Sequence, residues 1–151
     1  MSSTGPTPAA NLVIGNSISE LEKVAELVDR FGKAHGIAQA IINDLNLCLD
    51  ELLNNVISYG YEDQLPHLIV VNLLIKDKFL IADIEDDGKP FDPRNDPPAP
   101  PIGTLQSRPL GGLGLRFVKT LMDEVSYVRA GQKNLVRIAK HLPGGGVDGN
   151  C

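Results

Sequence analysis

The chain of 151 residues has the length of one domain, with 42% hydrophobic residues and a formal net charge of −5 from 14 Lys and Arg against 19 Asp and Glu. This acidic balance argues against direct nucleic-acid binding, and no apolar run approaches the roughly 18 residues that cross a membrane. With no secretory signal pattern and only Cys48 and Cys151, which cannot form a disulfide framework, we expect a cytoplasmic protein.

The chain predicts one folded domain between two disordered ends. After Met1, residues 2–10 are Ser, Thr, Pro and Ala with one Gly, and residues 143–151 contain four glycines. Neither end therefore has many side chains that could pack into a core. The domain is therefore expected to occupy residues 11–142. Its first element is a short apolar strand, Asn11–Gly15.

Two helices are predicted after this strand. Ser17 and Glu20 have the spacing of a capping box, and apolar residues then recur at intervals of three and four. Gly36 is typical of a helix C-terminal stop. A second helix is predicted from Ile37 to Tyr59.

A hairpin and a long irregular segment follow. Strands are predicted at His67–Ile75 and Phe79–Glu85, with a turn at residues 76–78 between them. The next stretch, residues 88–114, holds seven of the 11 prolines and has no helix or strand periodicity. A loop of this length in a compact domain is usually functional, so we interpret it as part of a site.

The last elements complete the predicted fold. A helix at Gly112–Met122 leads into strands at Glu124–Ala130 and Asn134–His141, with a turn at Gly131. This order of elements predicts an α+β two-layer sandwich, in which a mostly antiparallel mixed sheet is covered on one face by three helices.

A polar stripe interrupts the second helix. Glu51, Asn55 and Tyr59 are spaced four apart and so share one helix face. The amide of Asn55 can coordinate Mg²⁺, and the carboxylate of Glu51 can accept a proton from an attacking hydroxyl. Taken alone, the stripe is more simply interpreted as a solvated surface.

Two further motifs contain residues that could bind a polar ligand. Asp86 and Gly88 follow an apolar strand. At such a position a carboxylate can accept a hydrogen bond from an exocyclic amine, and a glycine leaves room for a planar ring. An acidic turn is the simpler interpretation of the same residues. The segment Gly111–Leu115 opens the third helix, where glycines expose N–H groups to an anion, although a flexible loop end would need the same residues. The segment lacks the Lys of a Walker motif.

Together, in this order, the three motifs resemble a known family. CLDELLNNVISYGYED, IEDDGKPFDP and GGLGLRFVKTLMDEVSY look like the asparagine box and two glycine boxes of the ATPase superfamily that includes gyrase, the heat-shock chaperone, histidine kinases and MutL. Within it, the chain resembles the anti-sigma-factor serine/threonine kinases of bacterial partner switching. The resemblance implies the histidine-kinase-like ATPase fold.

The resemblance also implies roles for individual residues. Glu51 would be the general base, Asn55 the Mg²⁺ ligand, and Asp86 with Gly88 the adenine site. The segment from about Arg94 to Leu110 would be a lid that is mobile without nucleotide and orders over ATP. The ATP phosphates would lie at a glycine-box site formed by Gly111, Gly112, Leu113, Gly114 and Leu115.

The chain departs from the family pattern at two places. Pro90 stands where a second glycine is common, and its fixed φ would stiffen the start of the lid. Leu110 and Gly111 stand where an arginine commonly precedes the last box, so Arg108 or Arg116 would supply the phosphate charge instead.

Glu51 decides between functions, because hydroxyl phosphorylation needs a base. A protein serine/threonine kinase that uses ATP and Mg²⁺ to phosphorylate a small anti-sigma-factor antagonist is therefore the leading hypothesis. The alternatives are a non-catalytic ATP-binding module that sequesters a sigma factor or another regulator, and a regulatory domain separated from a larger phosphatase system. The kinases that the chain resembles act as dimers, so a homodimer is also implied.

Overall fold

The computed structural model describes residues 7–95 and 112–143, which form a five-stranded sheet and three α-helices. All four strand pairings in these ranges are antiparallel, and the strand order is β1-β2-β3-β5-β4. The elements, in chain order, are β1 (Ala9–Gly15), a 3₁₀ turn (Ile18–Glu20), α1 (Leu21–Ala34), α2 (Gln39–Tyr59), β2 (Leu68–Lys76), β3 (Phe79–Asp86), α3 (Gly112–Leu121), β4 (Glu124–Ala130) and β5 (Lys133–His141). The predicted α+β sandwich is confirmed.

One face of the sheet packs against the helices through a mostly aliphatic core, and the chain contains no Trp. Alternate residues of each strand point to this face, since side chains in a strand alternate between the two faces. The α2 helix supplies much of the opposing surface and is buried along most of its length. The largest fully buried side chains include Ile14, Ile42, Leu45, Leu49, Leu53, Ile69, Leu73 and Ile138.

The predicted capping box is wrong. Ser17 Oγ shares a hydrogen bond with Ser19 Oγ at 3.0 Å and caps no backbone N–H. Glu20 instead accepts a hydrogen bond from the N–H of Gly15 at 2.9 Å and pairs with Lys23. A 3₁₀ turn therefore occupies the predicted first turn, and α1 begins at Leu21.

The predicted turns are confirmed. Asp77 and Lys78 both have positive φ, at 53° and 68°, which is the mirror-image turn that suits the twist of a two-residue hairpin. Gly131 joins β4 to β5 with φ 62°, and Gly36 ends α1 with φ 68°. These conformations explain why the chain reverses at each point.

The first strand begins earlier than predicted. Ala9 and Ala10 pair with Leu74 and Leu73, although the sequence places them in a disordered segment. Alanine gives a weak strand signal, and the pairing is supplied by the exposed backbone edge of β2. None of the helices within the two described ranges is long and apolar enough to cross a membrane.

Candidate functional site

The carboxylate of Asp86 is buried at the end of β3, with only 2% of the residue exposed. Its Oδ1 atom accepts hydrogen bonds from the N–H of Gly88 at 2.8 Å and from Nδ2 of Asn134 at 2.9 Å. No described residue donates to Oδ2. Burial raises the pKa of Asp86, against the two hydrogen bonds, which lower it. Among the described residues, the fold thus holds Oδ1 through two hydrogen bonds and supplies no donor to Oδ2.

Asn134, on β5 directly opposite Asp86, organises this end of the sheet. Its Nδ2 atom also donates to the carbonyl of Lys89 at 2.8 Å, while its Oδ1 accepts from Tyr127 Oη at 2.6 Å and from Arg129 Nη1 at 3.1 Å. Arg129 Nη1 in turn donates to the carbonyl of Gly88 at 2.7 Å. This network fixes the carboxylate and the turn that follows it.

The sequence interpretation missed Asn134, Tyr127 and Arg129. A signal existed, because Asn134 occupies the same strand face as the buried Val136 and Ile138. A polar side chain on the core face of a strand must find partners, so it indicates a buried network. Which partners it finds depends on strand pairing, which the sequence does not state.

Gly88 lies against the C-terminal end of α2. A Cβ atom at this position would lie 2.9 Å from the carbonyl oxygen of Gly60 and 3.1 Å from Asp86 Oδ1. The same Gly60 carbonyl accepts a hydrogen bond from the N–H of Lys89 at 2.8 Å. The glycine therefore permits close contact between α2 and the Asp86 turn.

We expect Gly88→Ala to destabilise the protein by about 1–3 kcal/mol, the usual cost of overpacking against a backbone that cannot move aside. Thermal denaturation measures this effect. Gly15→Ala is the matched control, because its new Cβ would meet only Glu20 Oε1 at an ordinary 3.8 Å. Equal melting temperatures for the two variants would contradict the predicted contact.

The polar stripe on α2 is not simply a solvated surface. Asn55 is only 8% exposed, and its Nδ2 atom donates to the main-chain carbonyl of Glu51 at 2.9 Å. Among the described residues, none donates a hydrogen bond to Asn55 Oδ1. Glu51 is half-buried, whereas Tyr59, the third member of the stripe, is 51% exposed.

The glycine segment forms the start of α3, as predicted. Gly112, Leu113, Gly114 and Leu115 make its first turn, where N–H groups have no partner within the helix and can bind an anion. The helix packs against α2. Arg108, Gly111 and residues 96–110 of the predicted lid lie outside the described residues.

On α2, Asn55 and then Glu51 lie progressively farther from the helix end that contacts the Asp86 turn. Asn55 lies about 7.5 Å along the helix axis from Gly60, and Glu51 lies about 13.5 Å from it. In the described parts of the chain, no group of three His, Cys, Asp or Glu side chains could hold a metal ion. The amide oxygen Asn55 Oδ1 is a hard donor of the kind that Mg²⁺ accepts alongside phosphate and water.

Known proteins are similar to this chain over most of its length. A family model described as the histidine kinase-like ATPase domain matches residues 16–140. The serine/threonine-protein kinase BtrW of Bordetella bronchiseptica is 31% identical over 97 residues, which cover 64% of this chain and 68% of that protein. The anti-sigma F factor of Anoxybacillus flavithermus is 24% identical over 102 residues, covering 67% of this chain and 70% of that protein.

A solved structure supports the fold. The structure of the RsbU and RsbW domains of a Mycobacterium tuberculosis protein matches with a TM-score of 0.67 at 17% identity. The match covers 91% of this chain and 33% of that chain. At this identity the likeness concerns the fold alone.

Proposed function

We propose, from the premise that this chain belongs to the histidine kinase-like ATPase domain family, that it is an ATP-dependent protein serine/threonine kinase of the anti-sigma-factor type. Its substrate would be a small antagonist protein that is phosphorylated on a hydroxyl group. The observation that carries the proposal is the buried Asp86 carboxylate, which is anchored through Oδ1 and open at Oδ2.

Asp86 would recognise the adenine of ATP. Its Oδ2 atom can accept a hydrogen bond from the exocyclic amine, and a hydrogen bond to an ionised acceptor is stronger than a neutral one. The Asn134 network holds the acceptor in place before the ligand arrives. Gly88 keeps the Asp86 turn in contact with α2, so the adenine end of the site and the helix form one unit.

The phosphates would lie at the N-terminus of α3, near Asn55. The first turn of α3, from Gly112 to Leu115, offers N–H groups and the positive end of the helix dipole. Asn55 would hold Mg²⁺ through its free Oδ1 atom. When bound, Mg²⁺ neutralises charge that develops on the phosphates.

Glu51 would receive the proton of the substrate hydroxyl. It lies one helical turn from Asn55 and is half-buried, so part of the residue remains exposed to a protein substrate. Most of the catalysis would come from positioning and charge stabilisation, with proton transfer to Glu51 as the chemical contribution of the chain.

The proposal extends to partners. The antagonist protein would present a serine or threonine, and a sigma factor is a second candidate partner, since one relative is named anti-sigma F factor. A homodimer is supported by apolar side chains on the sheet face opposite the helices, where Val13, Leu68 and Val128 are about half exposed or more. The free, buried thiol of Cys48 suits a reducing cytoplasm.

The kinase proposal is tested by single-turnover transfer from labelled ATP to a candidate antagonist protein, with and without Mg²⁺. We expect labelling of one hydroxyl residue, which its replacement by Ala in the antagonist abolishes. Tight binding of ATP and a sigma factor, with no transfer to any antagonist, would instead support the non-catalytic binding module.

We expect Asn55→Ala to remove most of the dependence of ATP affinity on Mg²⁺, because the variant lacks the free amide oxygen. Calorimetric titration in Mg²⁺ and in a chelator gives this dependence directly. Asn54→Ala is the matched control, since Asn54 is the neighbouring amide and bonds within the helix to the Asp50 carbonyl at 3.1 Å. If both variants keep the wild-type Mg²⁺ dependence, Asn55 is not the ligand.

A further inference from the structure

A histidine outside the predicted site motifs lies between two carboxylates. His67 Nε2 is 2.9 Å from Asp63 Oδ1, and His67 Nδ1 is 3.1 Å from Asp87 Oδ1. The two ring nitrogens can both donate only when the imidazole is protonated, so this arrangement is satisfied by the charged ring. The side chain of His67 is 16% exposed, whereas those of Asp63 and Asp87 are 47% and 38% exposed.

This cluster joins three parts of the chain beside the Asp86 turn. Asp63 lies in the segment after α2, Asp87 directly follows Asp86, and His67 immediately precedes β2. The backbone N–H of His67 donates to Asn16 Oδ1 at 3.1 Å, which ties it to the segment after β1. His67 is thus held in place by hydrogen bonds of both its ring and its backbone N–H.

Tyr61 connects the cluster to Asp86. Its ring stacks on the His67 ring, with centroids 4.1 Å apart and planes 16° apart. Its hydroxyl is buried and has no hydrogen-bond partner among the described residues. Burial first, and then the nearby carboxylates of Asp86 and Asp87, raise the pKa of the Tyr61 phenol. The aromatic stack therefore contacts the turn through His67 and Asp87.

We propose that His67 is a positioning residue of the nucleotide site: its imidazolium holds Asp87, and with it the Asp86–Gly88 turn, so that nucleotide binds more tightly when His67 is protonated. This inference rests on the proposed function, because it assumes that Asp86 binds a nucleotide. His67 acts through Asp87 and Tyr61 and does not contact the ligand.

The direction of the pH dependence follows from the groups around the ring. The hydrogen bond to Asp63 raises the pKa of His67 most, and that to Asp87 adds to it, against desolvation, which lowers it. Tyr61 is a further titratable group that stacks on the ring, and Asn16, which accepts from the His67 backbone, is uncharged. The contacts of protonated His67 with Asp63 and Asp87 are therefore complete below pH 6.5, the ordinary pKa of histidine. They are lost as the pH rises through the raised pKa of His67.

ATP titrations from about pH 6 to about pH 9 test the proposal. We expect the wild-type affinity to fall with pH about two- to five-fold more than that of His67→Gln, the size of coupling typical of a partly exposed ion pair. Titration of ATP itself is common to both proteins and cancels in the comparison. His141→Gln is the matched control, because His141 lies at the opposite end of β3, against Phe79, and should keep the wild-type profile.

A second measurement separates positioning from general structural support. Since coupling between two binding events is reciprocal, ATP must raise the pKa of His67 if protonation of His67 favours ATP. Imidazole NMR signals, assigned by their loss in His67→Gln, report this pKa with and without a non-hydrolysable ATP analogue. Asp63→Asn, which keeps His67 but removes one carboxylate, should shift the pH profile to lower pH and serves if His67→Gln does not fold.

The outcomes distinguish this inference from the proposed function. If the wild type binds ATP but the His67 pKa does not respond to the analogue, and Asp63→Asn keeps the wild-type profile, the positioning role is overturned while the nucleotide site stands. If the wild type binds no ATP at any pH, the proposed function fails, and this inference fails with it.

Discussion

Asp86→Asn is expected to weaken ATP binding by about 10- to 150-fold, the equivalent of about 1.5–3 kcal/mol for one hydrogen bond to a charged group. The loss has a specific geometric cause. The substituted amide could keep the Oδ1 bonds to Gly88 and Asn134, but an NH₂ group would replace the free Oδ2 atom. A donor would then face the exocyclic amine of adenine, which is also a donor.

The same substitution should not reduce the stability of the ligand-free protein. Burial raises the pKa of Asp86 above its ordinary value of 3.8, so ionisation costs folding free energy once the pH exceeds the unfolded-state value. The amide side chain carries no charge and avoids this cost at neutral pH. We expect the melting temperature of Asp86→Asn without ATP to equal or exceed that of the wild type.

Calorimetry and thermal denaturation on the same samples measure both effects. Asp83→Asn is the control, since Asp83 lies on the same strand but pairs with Arg137 on the opposite sheet face, at 2.7 and 2.8 Å. It should leave ATP affinity unchanged. If Asp86→Asn binds ATP with wild-type affinity, Asp86 does not bind adenine. A loss of both ATP affinity and stability would instead indicate a structural role.

Features that depend on neighbouring residues could be predicted from the sequence. The apolar periodicity of α2 indicated a helix that ends at Tyr59, as the structure shows, and the charged residues after Ile75 indicated the tight turn. The α3 start at Gly112 was also predicted, because glycines mark the change from an irregular segment to a periodic one. Each of these signals lies within a few residues of the feature.

The rest of the site depends on contacts between distant segments. Asn134 meets Asp86 only because β5 pairs with β3 in one register, and a shift of one residue would turn it to the other face. The approach of Gly60 to Gly88 likewise depends on how α2 packs on the sheet. The predicted capping box is wrong for a related reason. Ser17 and Glu20 have the right spacing, but the Glu20 carboxylate accepts a hydrogen bond from the N–H of Gly15, at the end of β1.

The burial of Asn55 separates two interpretations that the sequence left open. Spacing alone could not distinguish a solvated stripe from a site, since both place Glu51 and Asn55 on one helix face. In the structure Asn55 is 8% exposed, its amide nitrogen is bonded inside the helix, and no residue that the structure describes donates to its oxygen. The burial excludes a fully solvated stripe at Asn55 and is compatible with the proposed ligand role.

Glu51→Gln is expected to lower the rate of phosphate transfer by roughly 10²–10⁴-fold while leaving ATP affinity near that of the wild type. Gln has nearly the same shape as Glu but cannot take a proton at neutral pH. The substitution should not disturb Asn55, because Asn55 Nδ2 bonds to the main-chain oxygen of Glu51 and not to its side chain. Binding and proton transfer are therefore separable at this position.

Single-turnover transfer to the antagonist protein, alongside ATP titration, measures the two effects. Asp50→Asn is the matched control, since it makes the same carboxylate-to-amide change at the preceding, exposed position of α2 and should leave both quantities unchanged. A rate in Glu51→Gln equal to that of the wild type would show that Glu51 is not the base. Because a lost base slows only the chemical step, a fall in transfer rate accompanied by an equal fall in ATP affinity would assign Glu51 to nucleotide binding instead.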